Sequence, residues 1–190
     1  MTPPVTMAAS TKTTGATTDV RRLYTEHASE LRLGLARLAG RTLDPDDLLH
    51  EVFVVALRKR DDLAKADSPK AWLYGVAVKV AASRRRTATL RSLLGLTHTI
   101  DHQSAASPMS SIEQRDAVQQ VNRALEKLSG AKREVFVLFE LQHVPGDEIA
   151  TALQIPLKTV WTRLFHARKE FAAALNRLEA IEHRLTGGLS

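Results

Sequence analysis

A chain of 190 residues that is 44% hydrophobic holds enough apolar mass for one ordinary domain or two small ones, and it is not disordered as a whole. Lys and Arg outnumber Asp and Glu by 27 to 21, a formal charge of +6 that makes a polyanion, nucleic acid first, the expected partner. The lack of cysteine excludes disulfides, thiolate zinc sites and thiol catalysis, and no apolar run is long enough to cross a bilayer or to form the core of a secretion signal, so a cytoplasmic location is expected.

Aromatic residues make up only 5%, while Leu, Ala, Val, Arg and Glu dominate. These side chains lose little freedom in a helix, and an all-α protein is expected. Residues 1–18, rich in Thr, Ala and Pro with no periodic apolar face, read as a disordered tail. From Val20, apolar positions recur through Leu23, Leu31, Leu35 and Leu38 at helical spacing, and Gly40 supplies a stop.

A second helix opens at Asp44-Pro45, where the carboxylate can accept from an orphan amide and proline tolerates the first helical position. Leu48, Leu49, Val52, Phe53 and Ala56 form its apolar face. A third opens in the same way at Ser68-Pro69, turns Trp72, Leu73, Val76, Ala77 and Val80 inward, and runs out into Arg84-Arg85-Arg86. Residues 19–86 are therefore expected to form one small bundle.

Residues 87–111 lose sustained periodicity and read as a flexible linker, with room for a helical turn at Leu90 to Leu94. A second bundle is expected over 112–180, followed by a tail over 181–190. Its helices run from Ile112 to Leu128, broken by Ser129-Gly130, and from Lys132 to Gln142, ended by Val144-Pro145-Gly146. Two further stretches, Asp147 to Leu153 and Leu157 onward, are separated only by Gln154-Ile155-Pro156. A short turn between two helices, the second basic, is the outline of a helix-turn-helix.

Three constellations carry chemistry. With Ile149, Ala150, Leu153, Ile155, Val160 and Leu164 buried between the last two helices, the outward set is Lys158, Thr159, Trp161, Thr162, Arg163, His166 and Lys169. That set mixes charges for phosphates with groups able to reach base edges. Trp161 reads equally as an exposed indole awaiting a partner and as a packing residue.

Between Lys70 and Arg91 there is no carboxylate, while Lys79, Arg84, Arg85, Arg86 and Arg91 accumulate; Trp72 and Tyr74 lie beside them, a combination that suits unstacked bases. For Trp72 a place in the core is the favoured reading. Asp44, Asp46, Asp47 and Glu51 crowd the start of the second helix, more carboxylates than capping needs, and with His50 they serve either the helix dipole or a basic protein surface. There is no phosphate-cradling glycine loop and no metal-ligand spacing among the seven histidines, so no cofactor, metal or catalytic residue is expected.

The segments DPDDLLHEVFVVALRKRDDL, SPKAWLYGVAVKVAASRRR, and VNRALEKL through VFVLFELQHVPGDEIATALQIPLKTVWTRLFHARKEF resemble region 2 and region 4 of extracytoplasmic-function sigma factors of the sigma-70 superfamily, from about Val20 to Leu175 apart from the linker. The resemblance implies a subunit that brings core RNA polymerase to promoter DNA and is not an enzyme. It implies that Asp47, Leu48, His50, Glu51 and Phe53 dock on the β′ clamp helices. Trp72, Lys79, Ser83, Arg84, Arg85 and Arg86 would read the −10 element as single strand, and Lys158, Thr159, Trp161, Thr162, Arg163, His166 and Lys169 the −35 element as duplex. It further implies a contact of the β flap with the surface near Phe136 and Phe139, and an anti-sigma partner.

The sequence departs from the family pattern at Lys79, where Asn is common, and at Ser83, where Asp is common. Gln154 stands for a turn glycine, Pro145 for a serine cap and Trp161 for a lysine, so no −35 consensus carries over. The competing reading is a helix-turn-helix regulator that binds duplex DNA without polymerase.

Overall fold

The computed structural model describes residues 15–41, 43–96 and 112–186, and every regular element among them is helical. Helix α1 (Gly15–Ala39) starts before the apolar stripe does and stops at Gly40, whose φ of +77° a side chain would oppose. Helix α2 (Pro45–Arg58) is capped as its sequence dictates, the Asp46 amide donating to Asp44 Oδ1 at 2.7 Å. A short helix α3 (Arg60–Ala64), which the periodicity does not announce, is pinned by buried Leu63.

Helix α4 (Pro69–Leu93) takes its cap from Ser68, whose Oγ accepts from the Ala71 amide at 3.2 Å. It passes Arg86, where the sequence reading ends it, and continues to Leu93. No Gly or Pro intervenes before Gly95, and the hydroxyls of Thr87 and Thr89 fold back onto the carbonyls of Ser83 and Arg85, which satisfies both groups inside the helix. The remainder of the expected linker, 97–111, lies outside the described residues, as do residues 1–14 and 187–190 of the expected tails.

Helix α5 (Ile112–Glu126) is followed by α6 (Gly130–Phe136). The Arg133 guanidinium is buried because it closes the C-terminal end of α5, with Nε donating to the Leu125 carbonyl at 2.8 Å and Nη2 to that of Leu128 at 3.4 Å. From Val137 to Leu141 the chain widens into a π-helical turn, closed by the Gln142 amide on the Val137 carbonyl. Helices α7 (Gly146–Leu153) and α8 (Leu157–Thr186) form the helix-turn-helix, and α8 extends six residues into the stretch expected to be a tail.

Leu31, Leu35, Leu38, Leu49, Val52 and Leu73 pack α1, α2 and α4 together, while Leu125, Val135, Leu138, Ile149, Val160 and Leu164 do the same for α5 to α8. The expectation of two bundles held apart by a linker meets a difference here. The buried side chains form one continuous cluster, since α4 also packs on α7 and α1 on the π-helical turn.

Candidate polymerase and nucleic-acid surfaces

On α2, Asp47, His50, Glu51 and Val54 recur at i, i+3, i+4 and i+7 and line a shallow cleft of about 420 Å³ with Leu43, Asp44, Leu48 and Arg84. Asp47 and His50 are exposed. Glu51 accepts from Arg84 Nε on α4 at 2.8 Å, so an acid of the expected docking set is paired with a base of the expected DNA-reading set. Phe53 needs correcting as a docking residue: it is 7% exposed, lies outside the cleft lining and meets the Tyr24 ring edge-on, whereas Leu48, 3% exposed, sits at the floor of the cleft. Both fix the helix on the core, and half-buried Leu43 and Val54 complete the apolar lining of the cleft beside Leu48; the i+7 spacing from Asp47 could have revealed Val54.

Asp46, one of the surplus carboxylates, has a structural use. Arg32 on α1 grips it with two hydrogen bonds, Nε to Oδ1 at 2.6 Å and Nη2 to Oδ2 at 3.0 Å, and the pair holds the Asp46 carboxyl below its ordinary value of 3.8. Glu30 is lowered likewise by its hydrogen bond from Lys70 at the start of α4.

The C-terminal half of α4 leaves Lys79, Ser83, Arg84 and Arg86 exposed in a line without a carboxylate of its own. Trp72 is partly buried against the core and borders, with Lys79, a cleft of about 860 Å³ between α4 and α7. Arg85 differs from its neighbours: it turns toward the second bundle, where Nη2 lies 3.5 Å from Glu134, and burial lowers its pKa. Tyr74, read as a ring for stacking bases, is 1% exposed, and its hydroxyl donates to Gln142 Oε1 at 3.0 Å. Burial raises the pKa of that phenol well above the ordinary 10.0. The sequence reading assigned no role to Gln142 or Glu134.

On α8, Val160, Leu164 and Ala167 are buried, and the opposite face exposes Lys158, Trp161, Thr162, His166 and Lys169 as expected. Thr159 and Arg163 are half-buried; Arg163 acts electrostatically on Glu134, which four arginines surround while burial still raises its pKa. Thr162 Oγ1 returns to the Lys158 carbonyl at 2.9 Å. The two readings of Trp161 merge, because the residue is 45% exposed yet its ring is braced edge-on by Phe139 at 5.4 Å and laid against Gly146, where a Cβ would fall 2.7 Å from ring carbons. Phe165, unassigned in the sequence, is 55% exposed one turn further along, with Lys169 Nζ 4.6 Å from its ring centre. Phe136, expected on an outer apolar surface, is buried against Phe171, so only Phe139 of that pair reaches the surface.

Residue Gln154 closes α7 in the left-handed region at φ +56°, ψ +46°, the conformation for which a glycine is the usual solution. Pro145 precedes α7 without a side-chain capping bond. Among the described residues no helix is long and apolar enough to cross a membrane.

Comparison with known proteins matches residues 23–91 to the family model described as Sigma-70 region 2 and residues 118–171 to that described as Sigma-70, region 4. The chain is 29% identical over 163 residues to the ECF RNA polymerase sigma factor SigL of Mycobacterium tuberculosis H37Rv, covering 84% of this chain and 90% of that protein. It is 27% identical over 149 residues to the ferric citrate uptake sigma factor FecI of Escherichia coli K12, covering 78% and 86%. Its fold is shared with the sigma factor RpoE crystallised with the anti-sigma factor NepR from Bartonella quintana, at a TM-score of 0.69 and 19% identity over 83% of this chain and 97% of that one. CnrH in complex with the cytosolic domain of CnrY gives a TM-score of 0.62 at 22% identity, over 86% and 91%.

Proposed function

Because this chain belongs to the sigma-70 family, in its extracytoplasmic-function branch, and directs RNA polymerase to promoters, we propose how its surfaces divide that work. The observation that carries the division is the separation of charge. An acidic cleft on α2 stands in a chain of net positive charge, and bases gather on two other helices, one in each bundle.

The α2 cleft, through Asp47, His50 and Glu51 over Leu43 and Val54, docks on the clamp helices of β′. Complementary charge steers that encounter and fixes its register. Lys79, Ser83, Arg84, Arg85 and Arg86, with the edge of Trp72, hold the −10 element as single strand. Unstacking bases costs a few kcal/mol, and stacking and phosphate contacts on this surface return about 1–3 kcal/mol per base. Lys158, Thr159, Trp161, Thr162, Arg163, His166 and Lys169 hold the −35 element as duplex, with Lys158 and Lys169 on phosphates and the first turn of α8 nearest the base edges.

Once both bundles are seated on polymerase, two weak DNA contacts act as one strong contact, since the second forms at the high effective concentration that tethering provides. We assign the chain no catalytic step, a cytoplasmic place of work, and an anti-sigma partner of the kind seen with RpoE, alongside a flap contact on the side of Phe139.

Run-off transcription with purified core polymerase tests this reading on promoters found by sequencing transcript starts after overproduction. Product that depends on the added chain is the expected result. Duplex binding without polymerase, together with failure to retain core in a pull-down, would identify a solitary helix-turn-helix regulator instead.

A further inference from the structure

Trp161 stands among charged and hydroxyl neighbours on α8, and three elements hold its ring in one place. Gly146, the first residue of α7, lies against it, and the missing side chain is what admits the indole: a Cβ there would fall 2.7 Å from both Cζ2 and Cη2. Leu157, one helical turn earlier on α8, fills the rest of that gap, its Cδ1 3.5 Å from the same point. Phe139 meets the ring edge-on from the π-helical turn, at an interplanar angle of 82°. Phe139 is itself fixed from behind. The Arg168 guanidinium lies 5.7 Å from its ring centre, and Glu140, the next residue of the turn, accepts from Arg168 Nε at 2.7 Å. A π-helical turn is rare and recurs at functional sites; here it supplies both Phe139 and the acid that anchors Arg168.

The brace stops short of burying the indole, which is left half in solvent by contacts that fix its orientation. Phe165, the exposed aromatic one turn further along, has Lys169 Nζ over its ring and so offers a cation with its face. Among the described residues no cation lies over Trp161, which presents bare apolar surface beside Lys158 and Thr162. Its place in the first turn and a half of α8 is the part of a recognition helix that reaches base edges. In the major groove the C5 methyl of thymine is the apolar group on those edges, and the donors and acceptors elsewhere would be left unpaired by an apolar ring.

We infer that Trp161 selects a thymine of the upstream duplex element through its C5 methyl group, and that Gly146 and Phe139 are positioning residues that set the ring in the groove. The inference rests on the −35 reading above and adds the group by which one base pair is chosen. Because the ring is already fixed, the contact forms with little further ordering of the side chain.

The test is a thymine-to-uracil scan, which deletes one methyl at a time and keeps every hydrogen-bonding group of the base pair. The full chain, alone and bound to core polymerase, is titrated with duplexes carrying the upstream element recovered from transcript starts. One substituted position should cost the native chain about fourfold in affinity, the worth of one buried carbon group. In Trp161→Lys that penalty should vanish, while the slope of log K against log salt steepens by about 0.9 as a phosphate contact is gained. Gly146→Ala, which drives the ring off its seat, should abolish the penalty at an unchanged slope. Phe139→Leu removes the edge contact without a clash and should reduce the penalty to about twofold, which keeps the test decisive if Gly146→Ala fails to fold. A purely structural role for either residue would weaken all duplexes alike and leave the ratio of thymine to uracil affinity intact.

A native chain that prefers the element but tolerates uracil at every position overturns the inference and leaves the −35 reading standing, as does a Trp161→Lys chain that keeps the native penalty. No preference for the element over an unrelated duplex, with or without core, would overturn the reading and the inference together.

Discussion

Asp47→Lys separates docking from folding. Asp47 is exposed in the first turn of α2, and no hydrogen bond or ion pair to it is formed among the described residues, so the fold has little to lose. A carboxylate at a helix N-terminus contributes about 0.3–1 kcal/mol through the dipole, and reversing its charge roughly doubles that, to about 1 kcal/mol. For a chain of this length the thermal midpoint should fall by about 2–4 °C.

A lysine facing a basic partner sets like charges together and costs several kcal/mol. At about 3 kcal/mol the Kd for core polymerase should rise by about two decades. The assay is a titration of fluorescently labelled chain with core at two salt concentrations, beside a thermal melt. The gap between the native chain and the variant should narrow at high salt, where exposed charges are screened.

Leu48→Ala is the control. It empties a buried site at a cost of about 2–5 kcal/mol, so any docking it loses should follow its loss of stability. Glu51→Lys is less clean, because it also breaks an exposed ion pair with Arg84 that is worth up to about 1 kcal/mol. A Kd for Asp47→Lys within threefold of the native chain, in a protein that melts normally, would refute the docking role of the α2 cleft.

Other surfaces yield sharper and smaller tests. Lys158→Ala should weaken binding to a duplex −35 fragment and reduce the slope of log K against log salt by about 0.9, one phosphate contact, whereas Trp161→Ala should lower affinity at an unchanged slope; filter binding at four salt concentrations distinguishes them. Gln154→Gly relieves a left-handed residue at about 1–2 kcal/mol against roughly 0.5–1 kcal/mol of lost chain entropy, so urea denaturation should show a gain of about 0.5–1 kcal/mol. A loss there would mean that the Gln154 side chain makes a contact the helix-turn-helix needs.

Acid should loosen the first bundle. The carboxyls of Asp46 and Glu30 are lowered by their bonds from Arg32 and Lys70, so their stabilisation is complete above the unfolded values and fades as the pH falls through the folded ones, below about pH 4. Asp46→Asn should flatten the fall of the urea midpoint between pH 5 and pH 3. Both groups are mostly exposed, so the effect is small. Glu134, raised by burial, works in the opposite sense: protonation favours the folded form, and its contribution fades as the pH rises through its folded value.

Local chemistry was legible in the residues themselves. Asp44-Pro45 and Ser68-Pro69 announce helix starts because a short oxygen-bearing side chain and a ring without an N–H solve the same end problem wherever they fall, and both caps are formed. The stripe Val160, Leu164, Ala167 placed the outward face of α8, and with it most of the set expected to meet duplex DNA. Phe53 was misplaced because an apolar residue beside an acidic patch looks the same in sequence whether it lines the patch, as Leu48 does, or anchors the helix beneath it.

What tertiary structure alone decided is what covers α4. The helix is apolar on nearly every side through Leu73, Tyr74, Gly75, Ala77 and Val78, a pattern that signals burial from more than one direction without naming the second neighbour. Periodicity divides a helix surface into wet and dry; it carries no address. The partner of Tyr74 lies 68 residues away at the end of a π-helical turn, and only when the chain is folded does a hydroxyl that reads as a base-stacking ring become a buried bond between the two bundles.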